Sequence, residues 1–213
     1  MRKLVLKMSV SVDGFVGGPN GEIDWLFKSM DEEATAWTID HISQAGVHIM
    51  GSRTFRDMAA YWPSSTEPFA PPMNEIPKVV FARRGLDGGE SGASTTQALS
   101  DARAQAMGKT AQAASSMGSW RAARVATGDL AEEIARMKQE PGKEILAHGG
   151  ARFAQSLVKG GLVDEYRLLI HPIVLGQGLP LFAQLVAPVS LTLVESRRFG
   201  SGAVANVYRP RGG

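Results

Sequence analysis

Twice in this chain a short apolar run stops at glycine and gives way to a helical pattern, and a third run ends in paired arginines. The segments are Val47-His48-Ile49-Met50-Gly51-Ser52-Arg53-Thr54, Glu144-Ile145-Leu146-Ala147-His148-Gly149-Gly150-Ala151-Arg152 and Val79-Val80-Phe81-Ala82-Arg83-Arg84. Continuous apolar runs of this length read as strands buried on both faces, which in turn require helices on both sides of a sheet. In such a sheet ligands bind beyond the carboxyl ends of the strands, where helix N-termini present free N–H groups to anions. Gly51 and the Gly149-Gly150 pair let backbone approach a phosphate, Thr54 offers a hydroxyl, and Arg53, Arg83 and Arg152 add charge. The pattern therefore points to a phosphate-bearing ligand. It is neither a P-loop, since no Gly-Lys-Ser/Thr follows the spacer, nor a Gly-x-Gly-x-x-Gly turn.

The remaining elements follow the same alternation. Residues 3–12 read as a strand with Leu4, Leu6, Met8 and Val10 on one face and Val5 on the other. The turn-rich stretch from Asp13-Gly14 to Gly21 excludes regular structure. A helix is expected over 31–44, with Glu32 and Glu33 in its first turn, and another after Ser52, read as its cap and ended by Pro63. Beyond a Pro-rich loop come strands at 78–82 and 124–127. An Asp129-capped helix carries Leu130, Ile134 and Met137 on one face, followed by a strand at 144–147 and a helix at 151–159. Strands at 163–171, 191–198 and 203–209 close the chain. The expected fold is α/β, a central mixed sheet flanked by helices with antiparallel C-terminal strands. Residues 85–118, rich in Gly, Ala, Ser, Gln and Thr, fit a peripheral insertion better than a second domain, so 1–213 reads as one domain.

Composition excludes several classes. With 44% apolar and 21% charged residues, the 213-residue chain can bury a core. No apolar run approaches the roughly 18 residues of a membrane span. Lys7 interrupts the apolar start and no small-residue cleavage site follows, so a strand replaces a signal peptide there. The net charge of +2 comes from scattered bases, which argues against nucleic-acid binding. The chain has no cysteine, which removes thiolate chemistry and fits a cytoplasmic setting. His41, His48, His148 and His171 show no ligand spacing, so no metal site is expected. His148 reads as a hydrogen-bonded residue at a strand end. Asp164 and Glu165, adjacent on a strand, point to opposite faces and cannot act on one atom.

Met8 to Gly21, Met50 to Phe55, His148 to Arg152 and, above all, Gly161-Leu162-Val163-Asp164-Glu165-Tyr166-Arg167-Leu168 through His171-Pro172-Ile173-Val174-Leu175-Gly176-Gln177-Gly178 to Phe182 resemble one family. It is the dihydrofolate-reductase-like family that includes the reductase domain of the bifunctional riboflavin-biosynthesis deaminase–reductase. The resemblance implies an NADPH-dependent reductase, commonly a homodimer, acting on a small heterocycle. It places the cofactor at Gly51, Arg53, Thr54, Arg83, Gly149, Gly150, Ala151 and Arg152, with Val16 and Gly17 near the nicotinamide. Arginines at such positions favour NADPH over NADH, because a guanidinium forks onto a 2′-phosphate. Ser52 stands where dihydrofolate reductases commonly carry a basic residue, and Ala82 where the family often has serine. With Trp37 aligned on the family's helix aromatic, Ala34 falls at the position of the pterin-binding acid and Glu33 one residue away, which argues against a folate reductase.

Hydride transfer asks the protein for geometry, exclusion of water and a proton. Asp24, beside Trp25, is the first candidate donor and Glu33 the second. Two other readings of the same scaffold are a riboflavin-pathway ribosylaminopyrimidine reductase and a non-catalytic nucleotide- or small-molecule-binding dimer.

Overall fold

A computed structural model describes residues 1–83, 85–86 and 118–211. The expected insertion at 85–118 lies, apart from its ends, outside the described residues. The main sheet has eight strands in the order β5-β4-β3-β6-β1-β7-β10-β9. These are β1 (Leu4–Ser11), β3 (Ala45–Gly51), β4 (Lys78–Phe81), β5 (Arg124–Ala126), β6 (Glu144–Ala147), β7 (Glu165–His171), β9 (Leu191–Arg198) and β10 (Val204–Pro210). Strands β5 to β7 in that order are parallel, and β10 and β9 add antiparallel at the edge. A separate pair joins β2 (Phe15–Gly17) to β8 (Leu179–Pro180).

The helices are α1 (Glu32–Ser43), α2 (Ser52–Tyr61), α3 (Ala70–Glu75), α4 (Gly118–Arg121), α5 (Leu130–Gln139) and α6 (Ala151–Lys159). Side-chain alternation on the strands divides them into two layers. Leu4, Leu6, Met8 and Val10 of β1 pack in one core with Ile134 and Met137 of α5 and Leu157 and Val158 of α6. On the other face, Phe55 of α2, Met73 of α3 and Trp120 of α4 cover Met50 and Val80. Ala34 and Trp37 of α1 cover Leu169, Ala205 and Val207. Between these two groups Lys7 and Ser9 of β1 are half-buried while their neighbours on the strand are buried.

Several local expectations shift. Ser52 does not cap α2. Gly51 occupies the cap position and no side chain bonds the free N–H groups, whereas Asp31 caps α1 by accepting from Ala34 N at 2.8 Å. Asp129 caps α5 as its sequence context predicts, accepting from Ala131 N and Glu132 N. The Pro-rich stretch contains α3, because Pro71 and Pro72 sit in its first turn, where no N–H is needed. Strand β1 ends at Ser11, one residue short, because Gly14 folds back at φ +83° and its N–H meets the Ser11 carbonyl at 2.9 Å.

Two buried charged groups organise the covered parts of the second face. Arg167, 5% exposed, forks onto Glu144 at 2.6 and 2.8 Å and donates to Glu165 Oε1 at 2.8 Å. Lys78, 2% exposed, donates to the Ile76 carbonyl at 2.5 Å and Ser119 Oγ at 2.7 Å, tying α4 to the end of α3. Its Nζ also lies 4.4 Å from the Trp120 ring centroid.

Burial pushes the Lys78 ammonium down to about 7. Between that value and the ordinary 10.5 the unfolded chain binds one more proton than the folded one, so stability rises with pH across this window. The slope approaches about 1.4 kcal/mol per pH unit at most. Lys78→Met removes this component and leaves that of Lys7, which burial lowers to about 8. Urea unfolding midpoints at pH 6 to 10 check this; an unchanged slope in Lys78→Met would refute it.

Candidate functional site

The glycine turns converge at the carboxyl ends of β3 and β6. Gly51 precedes α2 and Gly150 precedes α6, and neither helix has a side-chain cap, so both present unbonded N–H groups at their starts. Gly51 N donates to the Gly149 carbonyl at 3.3 Å, which holds the two turns together. A Cβ on Gly150 would lie 2.8 Å from Thr54 Oγ1, and one on Gly51 3.3 Å from Phe153 Cβ. The peptide between Gly149 and Gly150 is cis, and Gly149 has φ +89° with Met8 Sδ 3.0 Å from where its Cβ would stand. The result is a cradle of bare backbone, two helix N-termini and one hydroxyl, suited to a pyrophosphate.

Exposed guanidinium groups stand around it. Arg53 lies in the first turn of α2 and Arg152 in that of α6, while Arg83 leaves the sheet just beyond β4. The register pairs Phe81 with Gly51, so Arg83 emerges at the same end of the sheet as the cradle. Phe81 and Phe153 stack at 5.1 Å between them. The structure thus brings together Gly51, Arg53, Thr54, Arg83, Gly149, Gly150, Ala151 and Arg152, which the sequence had assigned to one ligand.

The loop after β1 is anchored rather than free at its root. Asp13 accepts from Ser11 Oγ at 2.6 Å, Leu175 N at 3.2 Å and Gly176 N at 2.8 Å. The Ser11 and backbone hydrogen bonds hold its carboxyl below the usual carboxylate range. Gly17 packs against Gly21 and Glu22, and Gly178 approaches the Gly17 carbonyl so closely that no side chain fits there. The Val16 side chain is buried in the main core, so only the backbone of Val16 and Gly17 is available to a ligand.

The two acids expected to supply a proton are placed outside this arrangement. Glu33 is turned outward, its carboxylate 3.9 Å from Arg197 and its side chain 66% exposed. The inward position of that turn belongs to Ala34, packed with Phe199 and Leu169. Asp24 begins a 3-10 turn, Asp24–Ser29, and is exposed, whereas Trp25 and Ser29 of the same turn are buried.

The same face of the sheet carries nitrogen bases from five neighbouring strands or strand ends, of which Lys78, His48 and His171 are buried. Lys78 (β4), His48 (β3), His148 (beyond β6), Lys7 (β1) and His171 (β7) all fall on the second face by alternation. The His48 and His148 rings meet edge-on with centroids 4.4 Å apart. Burial, with the Lys78 charge added, pushes His48 down to about 3. Burial and the neighbouring His48, Lys7 and Lys78 hold His148 well below the ordinary histidine value. His148 Nε2 has no hydrogen bond, so the ring packs against His48 rather than serving as the hydrogen-bonded strand end expected of it. His171 Nδ1 meets Ser29 Oγ at 2.7 Å, and Trp25 stands edge-on to the ring at 5.4 Å. Burial and the Lys7 charge push His171 to about 4. All three imidazoles are neutral near pH 7, so the positive charge on this face belongs to the lysines and to Arg167, which stands in register beside Lys7. A signal for this was present: Lys7 and Ser9 are polar residues at alternate positions in an otherwise apolar strand.

Among the described residues no group of three or more His, Asp or Glu side chains is arranged to hold a metal ion. Among the same residues, no helix is long and apolar enough to cross a membrane.

Residues 2–205 match the sequence signature described as the RibD C-terminal domain. The uncharacterized protein YyaP of Bacillus subtilis (strain 168) is 31% identical over 211 residues, covering 99% of this chain and 96% of its own. The fold is similar to a putative riboflavin biosynthesis protein from Shewanella sp. PV-4, with TM-score 0.66 and 19% identity over 99% of each chain. It is also similar to dihydrofolate reductase from Enterococcus faecalis complexed with NADP(H) and RAB-propyl, with TM-score 0.57 and 11% identity over 99% of this chain and 97% of that one. By sequence signature and by fold, the chain belongs to the RibD C-terminal domain family, on a dihydrofolate-reductase-like scaffold.

Proposed function

We propose that this protein is an NADPH-dependent reductase of a small heterocyclic acceptor, pterin- or pyrimidine-like, working by hydride transfer. The observation that carries the reading is the Gly51–Gly150 cradle, where a Cβ on Gly150 would take the space beside the Thr54 hydroxyl and two uncapped helix N-termini meet. These residues fit a dinucleotide pyrophosphate: N–H groups of both helices and Thr54 Oγ1 would hold its oxygens, and Arg53, Arg83 and Arg152 would supply cations for a 2′-phosphate. When bound, NADPH supplies the hydride. The chain's own residues do the rest. Asp13 fixes the root of the loop that carries Gly17. Trp25 and Ser29 dock against His171. Lys7 and Ser9 are left as the polar groups an acceptor meets. A homodimer and a cytoplasmic setting belong to the same proposal.

Calorimetric titration with NADPH and NADH tests it. NADPH should bind at least tenfold more tightly, a gap of about 1.4 kcal/mol. Equal affinities would remove the 2′-phosphate assignment of the arginines, and no binding of either would remove the cofactor.

A further inference from the structure

The sheet ends differently at its two edges. At one, β5 is three residues long and its Arg124 donates to Glu133 of α5 at 2.9 Å. At the other, β9 runs eight residues without a proline, and every residue after Leu191 is exposed. Leu193 and Val194 are 53% and 48% exposed. The segment 182–190, just before the strand, adds exposed Phe182, Val186 and Val189. Phe182 lies 6.0 Å from the Tyr166 ring of the main core, so this apolar surface continues from the core out to the sheet edge. A long edge strand with exposed apolar side chains beside it marks a pairing surface.

The hydrogen bonds to β10 fix which backbone groups of β9 face outward. Phe199 N donates to the Ala203 carbonyl at 2.9 Å, and the register sets Arg198 opposite Val204, Arg197 opposite Ala205, Ser196 opposite Asn206 and Glu195 opposite Val207. Bonded and non-bonded pairs alternate in an antiparallel ladder, so Arg197 and Glu195 turn their N–H and C=O towards β10, while Ser196 and Arg198 turn theirs out. Among the described residues no strand pairs with that outer edge.

We propose that a second copy of the chain pairs here, β9 against β9 and antiparallel, about a two-fold axis at Ser196. This gives the homodimer of the reductase reading its interface, and rests on that reading for the number of chains. The two Ser196 residues then exchange both backbone bonds, and Glu195 stands opposite Arg197 of the partner subunit, twice by symmetry. Other axes fail on charge or geometry. An axis at Glu195, Arg197 or Arg198 sets that side chain against its own copy. One between residues sets outward groups against inward ones, and one at Val194 falls on the irregularity in the ladder. Charges that guard an edge against unspecific pairing therefore select one register. Leu193 and Val194 fall within the paired length, so the same contact buries their apolar area.

Sedimentation equilibrium of the full chain tests this. At about 20 μM the wild type should have the mass of two chains. Glu195→Arg and Arg197→Glu each set like charges opposite one another and should raise the dissociation constant at least about tenfold. The double variant restores opposite charges and should return to the wild-type value. Ser196→Pro removes an N–H that the pairing uses and β10 does not, so it should give single chains with an unchanged circular dichroism spectrum. A single-chain mass for the wild type, a Ser196→Pro variant that stays paired, or a double reversal no tighter than the single ones overturns the proposal. NADPH takes no part in these measurements, so a single-chain wild type removes the interface and leaves the cofactor cradle to its own titration.

Discussion

Replacing Arg167 with leucine lowers stability by about 3–5 kcal/mol, the range for removing one partner of a buried ion pair. The guanidinium bonds both oxygens of Glu144, and its Nε and Nη2 share Glu165 Oε1 at 3.0 and 2.8 Å. Glu165 is 3% exposed, and its other oxygen takes Arg209 at 2.9 Å and Lys3 at 3.3 Å. Leucine leaves two carboxylates facing an apolar side chain, with Arg209 and Lys3 too exposed to compensate.

The pH dependence gives an independent signature. Burial raises the Glu165 carboxyl, but hydrogen bonds from Arg167 and Arg209 outweigh it and hold the group below its ordinary 4.5. A carboxylate lowered in the folded state contributes stability that is full above the unfolded value and lost as pH falls through the folded one. The wild type therefore loses this contribution only below about pH 4.5. In Arg167→Leu, burial dominates, and the acid limb of the urea midpoint moves to higher pH. Adding E144Q and E165Q to R167L should recover part of the loss, since the uncompensated charges are then gone. A cost under about 1 kcal/mol with an unmoved acid limb would mean the cluster behaves as a surface pair.

Gly150→Leu should weaken NADPH binding at least a hundredfold, about 2.8 kcal/mol, with little change in melting temperature. Gly150 has φ −69° and ψ −174°, an extended conformation open to any residue, so the backbone does not object. What the new Cβ meets is Thr54 Oγ1 at 2.8 Å, so the hydroxyl is pushed aside and the side chain fills the space in front of both helix starts. Gly149→Ala is the contrasting variant. Its φ of +89° strains an L residue, at a cost of about 1–3 kcal/mol, and its Cβ meets Met8 Sδ at 3.0 Å. That variant should lose stability first. Thermal shift and calorimetry on the pair separate the two effects; Gly150→Leu binding NADPH like wild type would mean the turn is only structural.

How much of this was legible in the sequence depends on the range of the interaction that decides each feature. The apolar alternation of β1 and the Asp129 cap of α5 are local, and both stand where their residue patterns place them. The α2 cap went to Gly51 instead of Ser52 because β3 runs one residue further, a boundary set by pairing with β4. Glu33 and Ala34 share one helical turn, and which of them faces inward was decided by how Trp37 and Ala34 seat against Phe199 and Leu169, contacts more than 130 residues away in sequence.

The sequence alone determined the class of the molecule and the backbone cradle. Strand–glycine–helix turns carry their requirement in the glycines themselves, and the arginines lie within a few residues of them. Only the tertiary structure decided which polar groups share the second face of the sheet. Strand order put Lys78, His48, His148, Lys7 and His171 on one face of the sheet, although they are scattered from position 7 to position 171. Burial and charge pairing depend on distance in space, so a lysine that reads as a break in an apolar strand stands half-buried in register with the buried Arg167.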